Sequence, residues 1–278
     1  MELGLLTVPF GQRSLAEVAA FACDAGFDAL EIAAGPGSAQ VDPSCFSGQA
    51  AEAVGQCLEC VGLGISSLAY YANPLDPVPE QRRAVLEHLI RTIDAAAALE
   101  VPVVCTLAGN PLPGQDRMRT IEEEFPLALR PAVDHAGEKG IRIAFENYHA
   151  TILQNLEHWR RAFEVLPDAH VGLNFDPSHL VWQGIDHLAA IEEFRDRIFH
   201  THAKDVAINE RRLRRIGCLG SGWWRYVIPG HGRIHWGETI GALRAAGYRG
   251  VLSIEHEDSA LGCEEGFVVG ARFLSQFL

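Results

Sequence analysis

Eight short, almost wholly apolar runs recur along the 278-residue chain, each separated from the next by a stretch with helical periodicity. They read L-G-L-L-T-V (3–8), D-A-L-E-I (28–32), G-I-S-S-L (64–68), P-V-V-C-T-L (102–107), I-R-I-A-F-E (141–146), V-G-L-N-F-D (171–176), I-F-H-T-H (198–202) and V-L-S-I-E (251–255). A strand that alternates polar and apolar residues has one wet face. A strand that is apolar throughout must be covered on both faces, as strands of parallel sheets are.

The intervening segments carry helix signals. S-L-A-E at 14–17 reads as a capping box opening the first helix, with Gly26 near its end. Pro79 opens a long Ala/Leu/Arg helix, Pro102 stands ahead of the next strand, and a later helix closes through Gly137 and Gly140. Eight strand–helix units of roughly 30 residues predict an α/β protein, a (β/α)8 TIM barrel formed by a single domain over residues 1–278, with the active site at the C-terminal ends of the strands. The rival, an open doubly wound sheet, calls for a glycine-rich phosphate turn after an early strand. G-P-G-S at 35–38 lacks that spacing.

With 48% hydrophobic and 21% charged residues, the composition is that of an ordinary globular protein. Its formal net charge of −13 repels phosphate backbones and anionic membranes, so neither nucleic acid nor membrane is an expected partner, despite one basic run, R-R-L-R-R at 211–215. The start, M-E-L-G-L-L-T-V-P-F, has no basic segment ahead of an apolar core, and no apolar stretch reaches transmembrane length. These features predict a cytoplasmic protein whose seven cysteines stay reduced and pack as small buried apolar residues. Cys57-x-x-Cys60 lies in a helical pattern with no second ligand pair, which argues against a zinc or redox role.

The strand ends are unequal. The first four finish in apolar or small polar residues, Glu31 excepted, whereas the last four finish in Glu146, Asp176, His202 and Glu255. Each of these alone has an ordinary reading: a carboxylate after a strand is often a helix cap or a surface charge, and a histidine a core residue. Together they fall on consecutive strand ends of a fold in which those ends converge. Three neighbouring carboxylates require protonation or a cation. A set with one imidazole and no sulfur predicts one divalent metal ion, Mn2+ first, with Co2+, Mg2+ and Zn2+ as alternatives.

Five segments, F-E-N (145–147), N-F-D-P-S-H (174–179), H-A-K-D (202–205), P-G-H-G-R-I-H-W (229–236) and S-I-E-H-E-D (253–258), resemble the sugar phosphate isomerase/epimerase family of xylose-isomerase-like TIM barrels. The resemblance spans nearly the whole chain. It implies that Glu146, Asp176, His202 and Glu255 bind one metal, and that Glu146 and Glu255 also serve as acid and base. His179 would contact the substrate or a metal-bound water. Many members carry an acidic residue where His231 stands here. The implied reaction is isomerisation or epimerisation of a keto-sugar through an enediolate, one glutamate removing the carbon-bound proton and the other returning it. Metal-dependent lyase or dehydratase chemistry on a keto-inositol or a 3-keto glycoside begins with the same proton and is the alternative. An apurinic-site endonuclease is disfavoured by the net charge, and a non-catalytic sugar-binding barrel would need no acid/base pair.

Further candidates for contact with a small sugar or polyol substrate are His179, Lys204, His149, Trp224, Arg225 and Glu257. Lys204 is expected either at a substrate oxygen or in a salt bridge with Asp205. His200 shares the facing of His202 one layer deeper and reads as core packing. The long segment 206–235, with Trp223, Trp224 and Tyr226 around Arg225, reads either as an aromatic lid or as a contact within a homo-oligomer. Its basic run reads as a phosphate site or a solvated helix face, and Trp236 as packing beneath the mouth.

Overall fold

A computed structural model describes residues 1–278. Eight parallel strands close a barrel: β1 (Glu2–Leu6), β2 (Ala29–Ala33), β3 (Gly64–Tyr70), β4 (Val103–Leu107), β5 (Arg142–Glu146), β6 (Val171–Phe175), β7 (Ile198–Ala203) and β10 (Val251–Ile254), the last pairing back onto β1. A separate antiparallel pair, β8 (Asp205–Ile208) and β9 (Trp224–Val227), stands after β7. The helices are α1 (Leu15–Asp24), α2 (Gly48–Glu59), α3 (Pro79–Ala98), α4 (Arg117–Glu123), α5 (Phe125–Lys139), α6 (Leu156–Val165), α7 (Ser178–Val181), α8 (His187–Glu193), α9 (Glu210–Ile216), α10 (Trp236–Ala245) and α11 (Cys263–Leu274).

The helix signals act as expected. Ser14 and Glu17 form a reciprocal capping box at the start of α1. Pro79 begins α3, where its missing N–H has no helical partner to lose. Gly140 ends α5 at φ 70, a left-handed conformation that a Cβ would oppose. The strands bury both faces. Leu30, Ile32, Phe145 and Phe175 join the large core shared with the helices, while Leu6, Ala69, Val103, Cys105 and Ala144 form a smaller interior cluster.

Strand register sets the functional end. Glu146 pairs with Asn174, Asn174 with His200, and His202 with Ser253. Side chains repeat their facing every second residue. Asp176, His202 and Glu255, each two residues beyond an inward-facing partner in this ladder, therefore turn toward the barrel axis near its mouth.

Three sequence expectations are corrected. The first run ends as a strand at Leu6, because Pro9 belongs to a 3-10 turn over Val8–Phe10. Segment 206–235 is an ordered β8–α9–β9 excursion followed by a turn. Only Cys105 of the seven thiols is buried; Cys23, Cys45, Cys60 and Cys218 are exposed, and no disulfide forms. No helix is long and apolar enough to cross a membrane.

Candidate metal and proton-transfer site

One ligand-type atom from each of Glu146, Asp176, His202 and Glu255 lies within 4.8 Å of the other three. Asp176 is held by Asn147, whose side chain accepts from the Asp176 N–H at 2.7 Å and donates to its carbonyl at 2.8 Å. Asp176 Oδ1 accepts the Ser178 N–H at 2.7 Å, so Oδ2 is the atom left facing the cluster. No hydrogen bond reaches Oδ2, although Lys204 Nζ lies 3.2 Å away.

His202 divides its two nitrogens. Nε2 lies 3.0 Å from Glu31 Oε2, while the other Glu31 oxygen accepts the Tyr71 hydroxyl. Nδ1 has no hydrogen-bond partner and lies 3.0 Å from Glu255 and 3.6 Å from Glu146. A neutral imidazole carries one donor and one acceptor nitrogen. Glu31 selects Nε2 as a donor, and an uncharged ring would leave the Nδ1 lone pair among carboxylates. Against its burial, Glu31, Glu255 and Glu146 raise this imidazole well above its ordinary value, so the site calls for a cation at Nδ1, a proton or a metal. A cation among these atoms satisfies the orphaned Nδ1 and Asp176 Oδ2 together, so the donor set fits a divalent metal.

Electrostatics agree. Burial pushes the Glu146 carboxyl up, but the hydrogen bond from His179, the nearby His202 ring and the charge of Lys204 prevail and hold it well below the usual range. Glu255 is likewise penalised by burial and is held down to about 2, chiefly by Lys204. Glu31 is brought to about 2 against its own burial by His202 and His200. Glu146, Asp176 and Glu255 thus share a single ammonium, that of Lys204, at 3.9, 3.2 and 2.6 Å, while Glu31 faces His202 on the other side of the ring.

Lys204 does not pair with Asp205. Its ammonium lies 2.6 Å from Glu255 and 4.6 Å above the Tyr226 ring centre. Asp205 instead accepts the N–H groups of Val206, Gly230 and Ile234 and the indole of Trp236, at 2.8 to 3.1 Å, and so pins the 229–236 turn beside the mouth. Gly232 is required there, since a Cβ would stand 2.1 Å from Asp205 Oδ1.

One wall is aromatic. Trp224 stacks on Trp182 at 4.3 Å, and His149 meets both edge-on. The Tyr226 hydroxyl lies 2.6 Å from His179 Nδ1 and 3.1 Å from His149 Nδ1, and His179 Nε2 lies 3.1 Å from Glu146 Oε1. Segment 206–235 therefore lines the site through Trp224 and Tyr226. Its basic run forms the exposed helix α9. Arg225 is tied to Asp258 at 2.5 Å, and Glu257 reaches Lys204 only at 3.7 Å.

Residues 19–277 match the family model described as xylose isomerase-like TIM barrel. The chain belongs to that family. Among relatives of this barrel, the uncharacterized protein YfiH of Bacillus subtilis is 28% identical over 99% of both chains. An inosose dehydratase of Geobacillus thermodenitrificans is 32% identical over 61% of this chain and 62% of its own. Among solved structures, a xylose isomerase-like TIM barrel protein from Mycobacterium smegmatis in complex with magnesium has a TM-score of 0.77 at 18% identity, covering 99% of this chain and 96% of that one. The IOLI protein with a bound zinc atom has a TM-score of 0.76 at 18% identity, covering 100% and 99%. The 3-keto-D-glucoside 4-epimerase of E. coli has a TM-score of 0.74 at 19% identity, covering 99% of each chain.

Four residues of this barrel's site escaped the sequence reading as participants. Glu31 stood out as an acidic strand end but had no visible partner. Asn174 could have been found from its facing, two residues before Asp176. Tyr71 and Trp182 lie one residue beyond a strand and a short helix, where periodicity assigns no direction.

Proposed function

We propose that this barrel is a divalent-metal-dependent isomerase or epimerase of a keto-sugar or related polyol, in which Glu146, Asp176, His202 and Glu255 hold the metal and Glu146 and Glu255 move the proton. The convergence of those four side chains, with His202 Nδ1 and Asp176 Oδ2 lacking any hydrogen-bond partner, is the observation that carries this reading. When bound, a divalent cation would supply Lewis-acid polarisation of a ketone and offset the charge that develops on its oxygen.

The remaining work falls to the chain. Glu146 and Glu255 are both held ionised, so either can accept a proton from the carbon beside the ketone. They come from the non-adjacent strand ends of β5 and β10, which lets them address different carbons or opposite faces. Lys204 holds positive charge beside Glu255, where it favours a substrate oxygen that becomes anionic. Trp224, His149 and Tyr226 cover one side and present ring faces and edges suited to the C–H surface of a sugar.

A second reading is dehydration of a cyclic keto-polyol, favoured by the match to inosose dehydratases. It uses the same first proton and differs in what leaves afterwards. The deciding experiment supplies Mn2+, Mg2+, Co2+ or Zn2+ and follows solvent deuterium entering ketoses, inososes and 3-keto glycosides by NMR, with loss of water as a second channel. Exchange with conserved composition supports isomerase or epimerase; a dehydrated product supports the second reading. No exchange into any carbonyl substrate with metal bound overturns both. Glu146→Gln and Glu255→Gln are each expected to lower exchange about 100-fold or more where metal content is retained.

A further inference from the structure

We propose that Tyr226, on the excursion after β7, is a positioning residue: its hydroxyl donates to His179 Nδ1, fixes His179 as the Nε2–H tautomer and turns that N–H onto Glu146. The consequence for proton transfer rests on the function proposed above; the tautomer assignment does not.

For an uncharged His179 ring, the geometry admits two arrangements of protons. In one, Tyr226 O–H donates to His179 Nδ1 at 2.6 Å and His179 Nε2–H faces Glu146 Oε1 at 3.1 Å. In the other, His179 Nδ1–H donates to Tyr226 and the Lys204 ammonium donates to His179 Nε2, 3.4 Å away. The second arrangement is the weaker. Lys204 already has charged acceptors at 2.6 Å (Glu255) and 3.2 Å (Asp176), so a longer bond to a neutral nitrogen adds little. It would also leave the His179 Nε2 lone pair facing two carboxylate oxygens, Glu146 Oε1 at 3.1 Å and Asp176 Oδ2 at 3.4 Å. With a proton on Nε2, both contacts are attractive.

His149 completes the direction. Tyr226 has one proton and two imidazole nitrogens within reach; the 2.6 Å contact to His179 takes it, and His149 then donates its own Nδ1–H to the Tyr226 oxygen at 3.1 Å. The result is a one-way series of donors, His149 to Tyr226 to His179 to Glu146, running from the half-buried edge of the mouth to a carboxylate of the proposed proton-transferring pair. The ring of Tyr226 has a separate task, since it lies over the Lys204 ammonium. Tyr226→Phe keeps that ring and removes the hydroxyl, which is both the donor to His179 and the acceptor from His149.

The test uses the full chain loaded with diamagnetic Mg2+ and labelled with 15N at histidine, with the His179 signals assigned by their loss in His179→Gln. In the unsubstituted protein, His179 is expected to show Nε2 protonated and Nδ1 as a hydrogen-bonded acceptor; the opposite tautomer overturns the proposal without any variant. In Tyr226→Phe, the Nδ1 acceptor signature is expected to be lost, while metal affinity and thermal midpoint stay unchanged. On a substrate that exchanges, the maximal exchange rate falls about 10-fold with KM little altered, the low end of what partners of this kind contribute. A His179 Nδ1 signal unchanged in Tyr226→Phe refutes the assignment. Failure to find any exchanging substrate counts against the proposed function and leaves the NMR result to decide the role of Tyr226.

Discussion

Glu31 Oε2 lies 3.0 Å from His202 Nε2, on the side of the imidazole away from the nitrogen that faces Glu255 and Glu146. The two residues stand on β2 and β7, which do not touch within the barrel wall, so the contact crosses its interior. A carboxylate behind a metal-facing histidine fixes the ring's tautomer and raises the basicity of the nitrogen in front.

Glu31→Gln preserves shape and removes that charge. Affinity for Mg2+, Mn2+ or Zn2+, measured by calorimetric titration, is expected to fall about 10- to 100-fold with the fold retained. Unaltered affinity would show that Glu31 serves the interior packing alone.

Removal of divalent cations leaves Glu146, Asp176 and Glu255 sharing the charge of Lys204. At 100 times the dissociation constant, a bound metal stabilises the folded chain by about 2.7 kcal/mol. For a chain of this size, that raises the thermal midpoint by about 5 °C or more. Scanning calorimetry after chelation and after re-addition of each metal reads the shift and ranks the metals.

Asp205→Ala strips four donors of their acceptor: the N–H groups of Val206, Gly230 and Ile234 and the Trp236 indole. Each buried donor left unmade costs about 1–3 kcal/mol, less than additively within one network, so a net loss of about 3 kcal/mol is expected in urea unfolding. Faster amide exchange should concentrate in residues 229–236. Protection unchanged in that turn would contradict the pinning role.

The pH dependence of stability has a contributor far from the mouth. Burial pushes the His187 imidazole below its ordinary value of 6.5, while its Nε2 lies 2.9 Å from Thr239 Oγ1 across α8 and α10. The unfolded chain therefore binds this proton more tightly than the folded one. Stability from the neutral ring is complete above pH 6.5 and is lost as pH falls through the depressed folded value. His187→Asn should flatten the acid limb of the urea midpoint against pH; an unchanged limb would exclude His187 as the source.

Much of the barrel was legible because parallel strands covered on both faces leave long apolar words such as I-R-I-A-F, and because caps and glycines mark helix ends by local chemistry. The convergence of Glu146, Asp176, His202 and Glu255 was legible for a related reason: strand ends of a closed barrel share one mouth. Glu31 was harder to place, since its partner His202 lies far along the chain and only the closed topology sets the two face to face. Of the two readings of Lys204, the pairing with Asp205 fails, because the Lys204 ammonium turns to Glu255 and Asp176 while Asp205 turns to the 229–236 turn. Trp182 follows a short helix and Tyr226 lies on the added β8–β9 pair, whose directions relative to the mouth no periodicity encodes.

His202, Lys204 and Asp205 fall within four consecutive positions and do three separate jobs: one is a converging donor, one balances the charge of the carboxylates, and one anchors the turn that follows. The excursion that starts there is fastened again by Arg225 to Asp258 and by Tyr226 to His179. A change within residues 206–228 would redraw the aromatic wall of the mouth without replacing any of the four converging side chains, so variation of the wall and retention of the donors are separable in this scaffold.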